Sequence, residues 1–496
     1  MFNSIINIIF AEKRKFMLFN SIEFIFFLPI VFFLYWFVFR TRRMQNLLIV
    51  VVSYVFYGWW DWRFLVLISL TSICSFYSGI LIEKNRNNDR NRKFLSFSNI
   101  VINLGILSVF KYFNFFAENL QMFFRGIGYE LDVVTINVIL PVGISFYTFQ
   151  ALSYTIDVYR NRIRPTYDII EFCAFISFFP QLVAGPIERA TNLLPQFQRN
   201  RNFNYEIAVD GMRQMLWGFL KKVVVADNCA FYVNRYWDLY ADFSGVSLLT
   251  LAVLFTFQIY CDFSGYSDIA IGCSRLFGIN LNRNFAFPYF SRSIPEFWRR
   301  WHISLMTWFR DYVYFPLGGS RCEKLKIVRN IFIVWGISGL WHGANWTFVI
   351  WGLFHACLLV LYIFMGINTK YEHEVAYKRS LPKITELFQM TITFFLAVLG
   401  WIIFRAKDMS QAYNFIHHMF GTMFYGFHIS FEKSALYMAV LLLLVEWIQR
   451  GKQHALQFSK TSPFNIRPVR WIIYLFIIVL IACLRGHSQT FIYFQF

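Results

Sequence analysis

Two histidines set among tryptophans are the residues of this chain best suited to moving a proton. His342 lies in the run Trp341-His342-Gly343-Ala344-Asn345-Trp346, inside a long apolar stretch at about 331–365. Polar side chains at membrane depth are costly, face a protein interior or a wet cavity, and mark function. His302 stands 40 positions upstream, in Trp298-Arg299-Arg300-Trp301-His302-Ile303-Ser304. Burial disfavours the charged imidazolium, so His342 is expected to be neutral and able to accept a proton. Asn345, at i+3, would share a face with it if the segment is helical, and could fix its tautomer. Gly343 leaves room for a substrate or a backbone. The competing reading of either histidine is a hydrogen-bonded packing residue. Two of them, with interrupted helices nearby, favour proton-transfer chemistry within a bilayer.

Such residues need a scaffold, and the composition says which kind. The 496 residues are 57% hydrophobic and 21% aromatic, with 15% charged, against about 25% charged in soluble domains. This is an integral membrane protein, with room for about a dozen spans of roughly 20 residues. The net charge of +19 does not point to nucleic acid, because Lys and Arg cluster in short loops between apolar runs, as the positive-inside rule expects. Eight scattered cysteines have no metal or redox spacing and read mostly as small core residues. No metal site and no disulfide framework is expected.

Spans are expected near 18–39, 46–60, 63–82, 97–116, 136–157, 209–235, 246–272, 328–341, 344–366, 385–404, 436–448 and 470–484. The basic loops put 158–168, 188–206 and 369–384 in the cytoplasm, and 117–133 and 406–432 outside. The run 169–187 carries arginines on both flanks and contains Pro180, Gly185 and Pro186. It reads as a re-entrant hairpin, since broken backbone at membrane depth must be buried in protein or line a cavity. The same reasoning applies to 285–326, which holds His302. Lys221 and Lys222 are expected to snorkel to the interface. Residues 1–16 place Lys13, Arg14 and Lys15 on the wrong side of a first span. They are expected to be an extension from an upstream start, or a tail, before a single membrane domain at 17–496. The first apolar run is too long for a cleavable signal.

Further polar residues cluster around the histidines. Asp262 and Asp268 bring two carboxylates into one span, where each needs an Arg or a hydrogen-bond partner; structural pairing and lining of a reaction chamber are both open. Arg299, Arg300 and Arg310, with Arg292, lie among aromatics. They fit either a phosphate site or an interfacial helix with snorkelling arginines. His355 is 13 residues beyond His342, roughly 220° round a helix, and reads as packing. No P-loop, Rossmann glycine pattern or serine elbow is present.

The runs Pro141-Val142-Gly143-Ile144-Ser145-Phe146-Tyr147-Thr148-Phe149-Gln150, Phe179-Pro180-Gln181-Leu182-Val183-Ala184-Gly185-Pro186-Ile187, Asp262-Phe263-Ser264-Gly265-Tyr266-Ser267-Asp268, Trp298 to His302 and Trp341-His342-Gly343 together resemble the membrane-bound O-acyltransferase (MBOAT) superfamily. Within it they resemble the bacterial branch typified by the alginate O-acetylation protein, from Met17 to the terminal Phe491-Ile492-Tyr493-Phe494-Gln495-Phe496. The resemblance implies an all-α polytopic membrane protein, with about 12 transmembrane helices plus re-entrant or interfacial ones. It maps the family's near-invariant histidine onto His342 and a second position onto His302, with no departure at either. Asn345, Asp262, Asp268, Arg299, Arg300 and Arg310 become candidate substrate-binding residues. No tightly bound cofactor is implied. The donor would be a cytoplasmic thioester, acetyl-CoA or an acylated carrier. The acceptor would be a polysaccharide or an extracytoplasmic acetyltransferase partner outside a bacterial inner membrane. The alternative class is a transporter, but that predicts two matching halves, and the motifs cluster in 258–346 without an N-terminal echo.

Overall fold

A computed structural model describes residues 17–132, 135, 141, 143–182, 185–367, 371, 373–426, 433–459, 462–487 and 489–494. The expected N-terminal extension, Val142, Val183, Ala184 and the last two residues lie outside these. Among the described residues every regular element is helical, the solution for a chain whose backbone polar groups must be paired inside apolar surroundings. Five of these helices are long and apolar enough to cross a membrane: Phe64–Lys84, Asp89–Lys111, Gly245–Leu276, Trp346–Phe364 and Ile384–Arg405. Ile22–Val38, Ile169–Leu182 and Ala435–Ile448 are shorter apolar helices.

Three segments expected as loops contain helices. Phe113–Gly126 is helical and has no buried residue. Its polar residues Asn114, Glu118, Gln121 and Arg125 recur at helical spacing and form one stripe. Met409–Gly421 is a helix within 406–432, capped by Asp408, and Ala190–Phe197 is one within 188–206. The expected span at 136–157 appears as Ile144–Tyr159; residues 136–140 lie outside the described ones.

The chain divides into two compact units. The first takes residues 1–103, 146–183 and 189–203. Here Ile169–Ser177 ends at Phe178, and the single turn Phe179–Leu182 follows. The interruption expected from Pro180 is present and buried, and side chains repair it. Ser53 Oγ accepts the Phe179 N–H at 3.0 Å, and Gln150 Nε2 donates to the Phe175 carbonyl at 2.6 Å. Asn99, Asn103 and Ser75 form a second buried polar knot, to which Thr155 Oγ1 donates at 2.8 Å.

The second unit takes 104–145, 184–188 and 204–496 and holds both histidines. Its spine is an antiparallel pair, Tyr205–Phe219 against Gly245–Leu276. Glycines set how closely they approach. A Cβ on Gly211 would lie 2.6 Å from the Gly272 carbonyl, and one on Gly218 would lie 2.6 Å from the Gly265 carbonyl. Small residues that let backbones touch are the general device of helix pairing in lipid. A hairpin, Lys324–His342 then Trp346–Phe364, uses it again: a Cβ on Gly339 would lie 2.3 Å from the Phe348 carbonyl, and one on Gly352 would lie 2.2 Å from that of Trp335. Gly218→Leu should therefore destabilise the protein by roughly 1–3 kcal/mol, the range for overpacked sites. Gly105→Ala, with nothing within 4 Å of the added carbon, should be neutral or stabilising. Thermal unfolding in detergent checks both, and equal behaviour of the two would contradict the seam.

Candidate active site

His302 sits at a deliberate break. It links the short helices Ile294–Arg300 and Ile303–Phe309 with φ 44° and ψ 51°, a left-handed conformation that costs about 1–3 kcal/mol in a non-glycine residue. An extended segment holds it there: the Ala286 N–H donates to the Arg300 carbonyl at 2.9 Å, and the Ile303 N–H to the Asn284 carbonyl at 2.9 Å. Asn284 is fully buried, and its Oδ1 accepts from Ser304 Oγ at 2.9 Å and faces the Ser304 N–H at 3.4 Å. A backbone N–H can only donate, so this atom is the amide oxygen. It lies 3.0 Å from His302 Nδ1. That nitrogen therefore carries the proton, and Nε2 is left as an acceptor. Nε2 is buried with no hydrogen-bond partner among the described residues. Ser304 Oγ also accepts the Ile187 N–H at 3.0 Å, bringing the end of the Gly185-Pro186-Ile187 motif to this corner.

His342 is the last residue of its helix, and Gly343 continues in extended backbone. A helix ending in apolar surroundings leaves carbonyls in need of donors. Lys111 supplies them: its Nζ donates to the Trp341 carbonyl at 2.6 Å and to the His342 carbonyl at 3.1 Å. The space at Gly343 belongs to a side chain, because a Cβ there would lie 2.2 Å from the Phe348 ring. The imidazole is walled by Trp351 and Phe404, with ring centroids 5.0 and 5.4 Å away. Its Nδ1 is buried with no hydrogen-bond partner among the described residues.

The two histidines, distant in sequence, border the same aromatic groups. The Trp341 indole lies 5.0 Å from the His342 ring and 6.2 Å from that of His302. On another side Phe263 packs edge-on to His302 at 4.7 Å, and Tyr493 touches Phe263 at 4.6 Å and His342 at 5.7 Å. Each imidazole thus keeps one buried nitrogen without a hydrogen-bond partner among the described residues, and the two rings share Trp341 as a neighbour.

The other expected residues divide. Asn345 is not helically stacked on His342, because the helix has already ended. It caps Trp346–Phe364 by accepting the Thr347 N–H at 3.0 Å, and it donates to the Lys407 carbonyl at 2.8 Å. Asp262 and Asp268 find lysines: Lys222 lies 2.8 Å from Asp262, and Lys221 lies 2.6 Å from Asp268. The lysines therefore do not snorkel; they are 3% and 1% exposed, in a wide-turned stretch at Leu220–Ala226. Arg300 is engaged by Glu296 at 2.9 Å. Arg299 and Arg310 are exposed and line a cavity of about 460 Å³ with Trp298, Ile303, Met306 and Thr307. His355 is packed among tryptophans, accepting from Trp298 Nε1 at 3.3 Å. Among the cysteines, Cys229, Cys261 and Cys273 are core residues, whereas Cys357 and Cys483 are exposed.

Asn284, Lys111, Tyr493 and Glu446 escaped the sequence reading. Asn284 stood in a polar run, and Lys111 at a span end, where each is unremarkable. Glu446 carried a visible signal, a lone carboxylate in an apolar run; it is buried and accepts from the Tyr260 hydroxyl at 2.9 Å.

Residues 55–399 match the membrane-bound O-acyltransferase family. The chain is 39% identical to the probable alginate O-acetylase of Pseudomonas aeruginosa, over 82% of this chain and 75% of that protein. It is 34% identical to the peptidoglycan O-acetyltransferase of Helicobacter pylori, over 82% and 80%. It is 30% identical to the teichoic acid D-alanyltransferase of Bacillus subtilis, over 57% and 71%. A membrane chain with two buried histidines, matching over most of its length a family that transfers acyl groups, belongs to the membrane-bound O-acyltransferase family and is an O-acyltransferase.

Proposed function

We propose that the protein moves an acetyl group from a cytoplasmic thioester to a hydroxyl outside a bacterial inner membrane, for O-acetylation of an exopolysaccharide or cell-wall polymer. The observation that carries this reading is the two buried imidazoles on either side of Trp341, each with a nitrogen that has no partner among the described residues. The relatives' names support the acceptor class, since they act on alginate, peptidoglycan and teichoic acid. The acceptor is either the polymer itself or an extracytoplasmic acetyltransferase that relays the group.

A thioester is already activated, so the enzyme has to deprotonate a hydroxyl and align it. In this reading His342 takes the hydroxyl proton, the oxygen attacks the thioester carbonyl, and the C–S bond breaks. The proton then passes from the imidazolium to the departing thiolate. Such general-base catalysis contributes roughly 10²–10⁴-fold, and alignment adds to it. His302, with its proton on Nδ1, leaves Nε2 to accept from a second hydroxyl or N–H of a bound substrate, which suits orienting that substrate better than polarising the thioester carbonyl. Arg299 and Arg310, beside the cavity that adjoins Ile303, suit the phosphates of acetyl-CoA or of a carrier's prosthetic arm.

The test is CoA release from acetyl-CoA by purified protein in detergent, with an acceptor present. His342→Ala should reduce transfer to a few per cent or less while the protein stays folded; substantial residual turnover would remove the general-base role. Asn284→Leu should lower kcat about five- to thirteenfold, one orienting hydrogen bond being worth about 1–1.5 kcal/mol. An unchanged kcat would show that the His302 tautomer is immaterial.

Arg299→Ala and Arg310→Ala should raise the donor KM several-fold and leave the acceptor KM nearly constant. Equal changes in both would mean that these arginines only anchor the segment.

A further inference from the structure

The C-terminal segment is fastened beside the histidines by a buried charge cluster that the chemistry above does not use. Leu220–Ala226 is wound as a π-helix, a form that is rare and concentrated at functional sites. The tail docks along it. The Gly486 N–H donates to the Val223 carbonyl at 3.1 Å, and Asn228 Nδ2 to the Leu484 carbonyl at 2.9 Å. Gly486 permits this approach, since a Cβ there would lie 2.8 Å from the Asn228 nitrogen. Lys222 Nζ donates to the Gln489 carbonyl at 3.1 Å and lies 2.7 Å from Asp227 and 2.8 Å from Asp262. Asp262 Oδ2 in turn accepts the Ile492 N–H at 2.7 Å. The next residue is Tyr493, whose ring rests on Phe263 and faces His342.

Buried ion pairs of this kind are weak sources of stability, because desolvation offsets their attraction. Their retention calls for another reason. We propose that Lys222 and Asp262 are positioning residues: they clamp the backbone at Gln489 and Ile492 so that Tyr493 forms one wall around His342. This rests on the reading of His342 as an acyl-transfer residue, so the experiment has one arm that needs no substrate. A chain is prepared with Ile492→Cys and with Cys74, Cys173, Cys322, Cys357 and Cys483 replaced. It is labelled with a membrane-permeant maleimide, and peptide mapping reads position 492 against the buried Cys229 and Cys273.

With Lys222→Met, labelling at 492 should rise about tenfold while Cys229 and Cys273 stay protected. In the otherwise native chain the same substitution should lower kcat about tenfold and change the donor KM by less than about twofold. Ile492→Pro, which removes the donor N–H and leaves every charge in place, should reproduce that loss of kcat. Continued protection at 492 in Lys222→Met would overturn the clamp. So would simultaneous exposure of Cys229 and Cys273, which marks a general core role, or full activity of Ile492→Pro. Loss of protection confined to 492 supports the clamp even if the histidines prove to serve another reaction.

Discussion

A backbone interrupted in apolar surroundings must find its hydrogen bonds in the protein, because hydrocarbon offers none. This constraint shapes the neighbourhood of both histidines. His302 stands where two short helices meet, and Asn284 with its extended neighbours takes up the groups that the break exposes. His342 stands where a longer helix stops, and the Lys111 ammonium meets the orphan carbonyls. The breaks place both imidazoles at helix ends. The repairs fix where those ends point.

Aromatic packing then links the two ends. Trp341 and Phe263 touch His302, and Trp341, Trp351, Phe404 and Tyr493 touch His342. These rings exclude competing polar partners and lower the local dielectric. A proton transfer there, as proposed, would meet oriented groups that need little reorganisation. Trp298, Trp335 and Trp351 continue the wall around His355, whose Nδ1 is used by Trp298, and Trp401 stacks on Trp351 behind them. Chemically His355 is the same side chain, but its hydrogen bond makes it part of the wall.

Glycine seams and buried ion pairs supply the registration behind that wall. The glycine contacts between Tyr205–Phe219 and Gly245–Leu276 bring backbones together, and the lysines at the end of the first helix meet the aspartates of the second. Close backbone approach is what lets two lysines reach their partners without leaving the interior. The same carboxylate that accepts Lys222 also receives the tail, so helix pairing, charge pairing and tail docking share one corner of the unit.

Much of this was legible in the chain itself. Hydrocarbon-length runs fix the membrane class and most helices, because a 3.6-residue period and a bilayer thickness are local properties. The costly polar residues His302, His342, Asp262 and Asp268 were visible for the same reason, as was the need of each aspartate for a partner. The identity of the partners was not. Lys111 and Trp341 are 230 residues apart, as are Asp262 and Ile492, while Lys222 and Gln489 are 267 apart. Asn345 shows the limit most sharply. Its spacing from His342 promised a shared face, yet the helix ends at the histidine itself, and at Gly343 the Phe348 ring fills the space a side chain would need. Sequence alone determined which groups could not rest unpaired in an apolar interior. Only the tertiary structure decided which group answers each of them, because hydrogen bonds and ion pairs join residues by distance in space, and helix packing sets that distance.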